Sequence, residues 1–532
     1  MNRSRIIRWI SGGFALLLTA ASSGTAWQAS RGSQPAAPRF TDAGRRAKLA
    51  SAFPDADRLF RDFAARFHVP GIAYGIVIDG DLAHSGAAGV REIGSRAPVD
   101  ADTVFRIASM TKSFTAMAIL KLRDDGKLAL DDPAEKYVPE LQGLVYPTSD
   151  SPRISIRHLL THSAGFPEDN PWGDQQLAAT AAQMSAMMQA GIPFANTPGI
   201  AYEYSNFGFA ILGRIVERVS GKPYRDYVAA NLLRPLGMKA TTLDPKAVPG
   251  DRLAHGYRWE DNTGREEPPL PDGAFGSMGG MLTSVRDLSR YVAFLMSAWP
   301  PRDGPESGPI RRASAREMQQ LWRAGEATVT RATPDGPLRL EAGGYGFGLR
   351  ISQSCDFRHL VAHSGGLPGF GSHMRWLPEY GVGVIAFGNL TYTSWGRIVD
   401  DVFTALADTG GLQPRAPEPS PALSAARETV SRLIVRWDDQ LADDIAAVNL
   451  FLDESKDRRR RRIEDLRSQY GACRAAGDFD VENALRGAWT MACDRGALRV
   501  SITLAPTTPP KVQYLDVRPA PAAGARRSPC AR

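Results

Sequence analysis

The sequence predicts an α+β fold: one antiparallel sheet built from both ends of the main region with helices on its faces, a helical insertion between them, and a small C-terminal α+β domain. Three observations carry this. Strand-like apolar runs open the main region at 72–78 and 82–89 and return near its end at 359–362, 372–377 and 383–387. Helical patterns fill the interval, among them 111–125, stopped by Gly126 as a C-cap. A proline-rich stretch at 410–421 then separates the last hundred or so residues from the rest.

Composition admits this reading. The chain has 532 residues, 43% of them hydrophobic and 23% charged, so it can bury a large core; about 150 residues per domain suggests roughly three domains. With 51 Gly and 38 Pro it falls short of low-complexity fractions. The net charge of +7 comes from 64 Lys+Arg against 57 Asp+Glu, spread along the chain and mostly Arg. No aromatic-basic patch, zinc knuckle or helix-turn-helix pattern accompanies it, which excludes nucleic acid as the favoured partner.

Taken in order, residues 1–26 read as a signal peptide. Arg3, Arg5 and Arg8 form a positive n-region, 9–21 is apolar, and Gly24-Thr25-Ala26 offers the small residues of a cleavage site. The apolar run is short for a membrane span, although a retained anchor is the alternative. No later stretch is long and apolar enough to span a bilayer, so a periplasmic or secreted location is expected. Residues 27–40 form a flexible leader and 41–409 the main domain, whose first hairpin turns at Asp79-Gly80. The linker at 410–421 contains four prolines, which cannot sustain a helix or a central strand. Residues 422–519 form the accessory domain, with a helical pattern through Val430, Leu433, Trp437 and Leu441 and strand-like runs at 498–504 and 512–517. The tail 520–532 is Ala, Pro, Gly and Arg, and is expected to be disordered. The five arginines 458–462 sit in a charged stretch with Asp453, Glu454, Asp457, Glu464 and Asp465 and read as a solvated, self-paired helix face.

Cys473 and Cys493 lie 20 residues apart (493 − 473) and are the disulfide candidate; Cys355 and Cys530 are less obvious partners. No CxxC, HExxH or His-Cys cluster appears among the eight histidines, so no metal site is suggested. No GxSxG nucleophile elbow occurs. The glycine run 343–348 lacks a following helix and lysine, which argues against phosphate binding.

Three short motifs carry chemistry. In Ser109-Met-Thr-Lys112 a helical spacing of three puts a hydroxyl and an amine on one face, and a neutral amine can take the hydroxyl proton once burial lowers its pKa. In Tyr204-Ser205-Asn206 a phenol can relay protons and an amide can hold substrate and lysine. In His363-Ser364-Gly365-Gly366, at the end of a strand, glycines let a substrate backbone approach and leave an N–H to face an oxyanion. His162-Ser163-Ala164-Gly165 mimics this third motif, but follows a helix-like run and reads as a structural turn near the site.

Alone, each motif is weak, with a helix cap or a turn as the ordinary alternative. Together, in this order and at intervals of 95 (204 − 109) and 159 (363 − 204) residues, they resemble the three signatures of serine β-lactamases and penicillin-binding proteins, most closely the class C β-lactamase and DD-peptidase branch. The resemblance covers about residues 43–408 and includes the text around the motifs, such as Phe105-Arg-Ile-Ala-Ser109 and Met278-Gly-Gly-Met-Leu-Thr-Ser284.

That resemblance implies a β-lactamase/transpeptidase-like fold and acyl transfer through a covalent intermediate, without metal or cofactor. Ser109 is then the nucleophile, Lys112 its activating partner and Tyr204 the proton relay or base. Asn206, His363, Ser364, Gly365 and Gly366 line the substrate, with the backbone N–H groups of Ser109 and Gly366 as oxyanion hole. Class C β-lactamases usually carry Lys in place of His363; a near-neutral histidine weakens attraction for a carboxylate or makes it pH-dependent. Some DD-peptidases and D-aminopeptidases show His-x-Gly instead. Arg375, on the following strand, is a further cation, more simply read as outward and solvated. The expected function is an exported serine hydrolase of small amides or esters, D-amino-acid peptides or β-lactams among them. Its rivals are a carboxylesterase on the same scaffold and a slowly deacylating penicillin-binding sensor.

Overall fold

A computed structural model of the chain describes residues 36–331, 336 and 338–520. The signal-peptide reading lies outside the described residues, as do most of the leader and all of the tail beyond Ala520. The described chain divides into two compact units, 37–416 and 417–520.

The larger unit is organised by a ten-stranded sheet in which the two ends of the region meet. Strand Gly71–Ile78 is wholly buried, and pairs antiparallel with Asp81–Glu92 on one side and with Val382–Gly388 on the other. The tight turn between the first two strands places Asp79 at φ +54° and Gly80 at φ +92°, backbone values that suit Asp and Gly. Successive side chains of Gly71–Ile78 enter different cores. Ile72, Tyr74, Ile76 and Ile78 pack with the helices Phe53–Arg66 and Gly396–Asp408. Ala73 and Val77 join the larger core that holds Thr111–Asp124, Asn206–Ser220 and Val285–Met296. The helices that carry Lys112 and Asn206 lie on this second side.

The C-terminal side of the sheet runs Val382–Gly388, Phe370–Leu377, Leu360–Leu367, then Arg350–Ser354. Leu360–Leu367 is paired along its length with Phe370–Leu377, from Val361↔Trp376 to Leu367↔Phe370. On its other side Arg350–Ser354 pairs only as far as Ala362. His363 to Leu367 therefore lie within a strand, not at its end, and form an open edge toward the helical region.

The smaller unit places helices Pro421–Val435, Asp439–Ile445 and Lys456–Tyr470 with a four-stranded meander, Cys473–Asn483, Arg486–Cys493, Gly496–Leu504 and Val512–Pro519. Leu498, Val500, Ile502 and Leu504 alternate inward around a core that includes Trp489, Leu423 and Ile463. Pro421, assigned above to the linker, opens a helix capped by Ser420. The helical pattern drawn through Trp437 is two helices, because Arg436 is extended and Asp438 caps the second through Leu441 N–H at 2.9 Å. Cys473 and Cys493 face each other across the first two strands and form a disulfide. The arginine run is less solvated than expected: Arg459 is 5% exposed and donates to the carbonyls of Leu515 and Leu450. Among the described residues no helix is long and apolar enough to cross a membrane.

Candidate active site

The nucleophile turn is a short 3-10 segment, Ala108–Met110, that follows the two-residue strand Phe105–Arg106 and leads into helix Thr111–Asp124. Ala108 takes φ +47°, a strained value for alanine that is held by its surroundings. The Ile107 N–H donates to Met281 O at 3.0 Å, and Thr111 Oγ1 bridges Ala108 O and Met281 N–H. The open strand edge rests directly on this turn. A Cβ on Gly365 would sit 2.1 Å from Ile107 O, so only glycine allows the approach, and Ser372 Oγ donates to that same carbonyl at 2.8 Å. The strand that carries Gly366 is thereby seated against the turn that carries Ser109.

Lys112 is fully buried, and its Nζ has three neighbours: Ser109 Oγ at 2.9 Å, Asn206 Oδ1 at 2.6 Å and Met278 O at 2.8 Å. Two of these oxygens can only accept. Burial lowers the amine to about 7 against the opposing pull of Asp174 and Asp169, so near neutrality a large fraction is uncharged. A neutral amine has two N–H donors and one lone pair. The donors satisfy Asn206 and Met278, and the lone pair is left for the one partner that can donate, the Ser109 hydroxyl.

Asn206 is placed by its helix. Ser205 caps Asn206–Ser220 through Gly208 N–H at 3.1 Å, and Gly221 ends the helix in the left-handed region. Asp169, 37 residues earlier, completes the cap by accepting from Asn206 N–H at 2.6 Å and Phe207 N–H at 2.8 Å. Tyr204, just before the cap, lies with its ring centroid 4.9 Å from Lys112 Nζ. Burial holds its phenol well above the ordinary value, against a hydrogen bond with Ser109, so it is a neutral phenol at pH 7. It is suited to passing a proton on and not to acting as a standing base.

His162 lies within this packing. Its ring centroid lies 4.2 Å from that of Tyr204 and 4.5 Å from that of Tyr345, tilted against both, and its Nδ1 accepts from Ser205 N–H at 3.0 Å. The turn it belongs to therefore supports the Tyr-Ser-Asn segment.

His363 is 3% exposed and turned toward Tyr345, not toward the groove. Its Nδ1–H donates to Ser364 O at 2.6 Å, which leaves Nε2 to accept from Tyr345 OH at 2.7 Å. Burial, with the nearby Lys112 charge, lowers it to about 3, so it carries no charge at neutral pH. Ser364 is exposed on the opposite face and bonds His373 Nδ1 at 2.8 Å. Arg375 is not solvated: it is largely buried and pairs with Asp400.

One cation near the site is not revealed by the motifs. Arg350 is exposed, opposite Ala362 at the point where strand pairing ends, and its field reaches His363, Tyr204, Tyr202 and Tyr345. No carboxylate pairs with it among the described residues. Asp174 was missed as well. It is 2% exposed, accepts from Tyr392 OH at 2.8 Å, and burial raises it to about 6. Tyr392 in turn lies over Gly366, where an added Cβ would stand 2.6 Å from its ring. Neither residue belongs to a short motif; chain folding alone brings them to the groove. Among the described residues no cluster of His, Cys, Asp and Glu is arranged to hold a metal ion.

The chain is 27% identical over 343 residues to protein flp of Staphylococcus aureus, covering 64% of each chain. It is 27% identical over 315 residues to penicillin-binding protein 4* of Bacillus subtilis, covering 56% of this chain and 62% of that one. The matches thus span less than two thirds of these relatives' lengths. Its fold is shared with an octameric penicillin-binding protein homologue from Pyrococcus abyssi at a TM-score of 0.55 and 23% identity, over 85% of this chain and 96% of the other. The Beta-lactamase family model matches residues 56–409, and the protein belongs to that family.

Proposed function

We propose that the protein is an exported serine acyl hydrolase that works through an acyl-enzyme on Ser109 and takes small amides or esters, with carboxylate-bearing D-amino-acid peptides or β-lactams as the preferred class. One observation carries the chemistry: the buried Lys112 amine, with two acceptor-only partners, has its lone pair free for the Ser109 hydroxyl. Lys112 takes the hydroxyl proton as Ser109 Oγ bonds to the substrate carbonyl carbon. The oxyanion is held by the backbone N–H groups of Ser109 and Gly366. Tyr204 passes a proton from Lys112 to the leaving amine or alkoxide as the bond to carbon breaks, and water then releases the acid by the same route in reverse. Arg350 supplies the charge for a substrate carboxylate that the neutral His363 does not. The N-terminal sequence supports export.

The carboxylesterase reading is favoured by the neutrality of His363, since an ester without a carboxylate needs no cation. The test is a panel of a D-alanyl-D-alanine peptide, a penicillin, a cephalosporin and a neutral p-nitrophenyl ester, followed for both turnover and intact mass. Preferred turnover of the carboxylate-bearing compounds supports the proposal. Turnover of the neutral ester alone supports the esterase, and a lasting adduct without product supports a sensor.

A further inference from the structure

Beside the catalytic turn is a second recess, of about 110 Å³, that the acyl-transfer chemistry does not use. By about one water-sized sphere per atom it has room for roughly seven or more non-hydrogen atoms. Its walls include Leu253, Leu270, Leu282 and Phe370, and Arg106 lines it as the only Lys or Arg among the described residues.

Arg106 is 5% exposed. Its Nη2 donates to Leu270 O, while its Nη1 is buried and has no hydrogen-bond partner among the described residues. Asp272 is the carboxylate whose field reaches it, but the two form no ion pair. A buried guanidinium with a free donor is costly and calls for an acceptor. Glu266 and Glu267 line the same recess. Glu266 bonds His255 at 2.8 Å and Glu267 pairs with Arg258 at 3.3 Å. Each of these carboxylates is thus engaged by its own partner, and the apolar walls oppose a fully hydrated anion.

We infer that this recess binds a small monocarboxylate with a short apolar body, its carboxylate on Arg106 and its hydrocarbon against Leu253, Leu270 and Phe370. The site shares elements with the catalytic groove, since Arg106 stands three residues before Ser109 and Phe370 follows Gly366 on the next strand, so an occupant bears on the same turn and strand.

The test uses 3-methylbutanoate as probe, with 3-methylbutanamide and inorganic phosphate as controls, read by ligand-observed NMR and calorimetry on the full chain. Saturable binding of the acid is expected, equal in wild type and Ser109→Ala, with amide and phosphate at least about tenfold weaker because a charge-assisted bond is lost or opposed. Arg106→Gln and Leu253→Trp should each abolish it; Leu253→Trp keeps the cation, fills the recess, and decides the matter should Arg106→Gln not fold. Equal binding of amide and acid, binding that survives Leu253→Trp, or no binding of the acid overturns the assignment.

Discussion

Lys112 Nζ and Asn206 Oδ1 stand 2.6 Å apart in a fully buried setting, although 94 residues separate them in the chain. The contact fixes the amine's orientation, because the amide oxygen can only accept and so turns the lysine lone pair toward Ser109. Asn206 is in turn fixed by the two-pronged Asp169 cap on its helix. Nucleophile activation thus depends on a carboxylate that never touches the nucleophile.

The first consequence is a pH limb. Catalysis by a neutral Lys112 should rise with pH and level off above about 7, where burial has set its proton loss. Asp174 and Asp169 oppose that lowering, so Asp174→Asn should move the limb to lower pH. Measured kcat/KM profiles check both; a limb that moves upward contradicts the assignment. Lys112→Arg, which keeps the charge and cannot lose it, should reduce kcat/KM by about a hundredfold or more.

Arg350→Ala should separate substrates. Loss of its charge should raise KM for carboxylate-bearing substrates by about tenfold and leave a neutral ester near its wild-type value. An equal loss for both classes would show that Arg350 acts on the fold of the strand edge.

His363 should remain neutral throughout the range from pH 5 to 8, since its lowered value is about 3. Histidine ring NMR reads this directly. His363→Lys should increase affinity for carboxylate substrates only if the new side chain reaches past Tyr345 into the groove. Tyr345→Phe removes the donor to Nε2 at 2.7 Å and should shift the ring's titration upward.

Much of this arrangement is legible in the sequence. The spacing Ser-x-x-Lys is a helical spacing, and the alternating apolar runs at both ends of the main region predicted the closed sheet that Gly71–Ile78 and Val382–Gly388 make. What stayed hidden depends on burial and on long-range contacts. A histidine reads the same whether it faces solvent or Tyr345, so the charge at 363 could not be read from its letter. Arg375 and Arg350 look alike in the sequence, yet Asp400 pairs with one and the other stands exposed where the strand pairing ends. Asp169 caps a helix that begins 37 residues later (206 − 169), beyond any local capping pattern. In the smaller unit the strands Cys473–Asn483 and Arg486–Cys493 escaped notice because Gly, Arg and Asp interrupt their apolar alternation.

Asp169→Ala removes both cap contacts from the Asn206 helix and should cost about 1–2 kcal/mol in stability, read as a lower urea midpoint. Activity should fall further than this loss explains, because Asn206 no longer holds Lys112. A variant with full activity per folded molecule would show that Asp169 serves stability alone.

The central claim is that Ser109 is the acylated atom. Wild type and Ser109→Ala should be incubated with a penicillin and a fluorophosphonate, trapped by acid, and compared by intact mass and peptide mapping. An adduct of the expected mass is expected on the peptide that carries Ser109 in the wild type, and none in Ser109→Ala. An adduct on a different residue, or one of equal yield in Ser109→Ala, would contradict it.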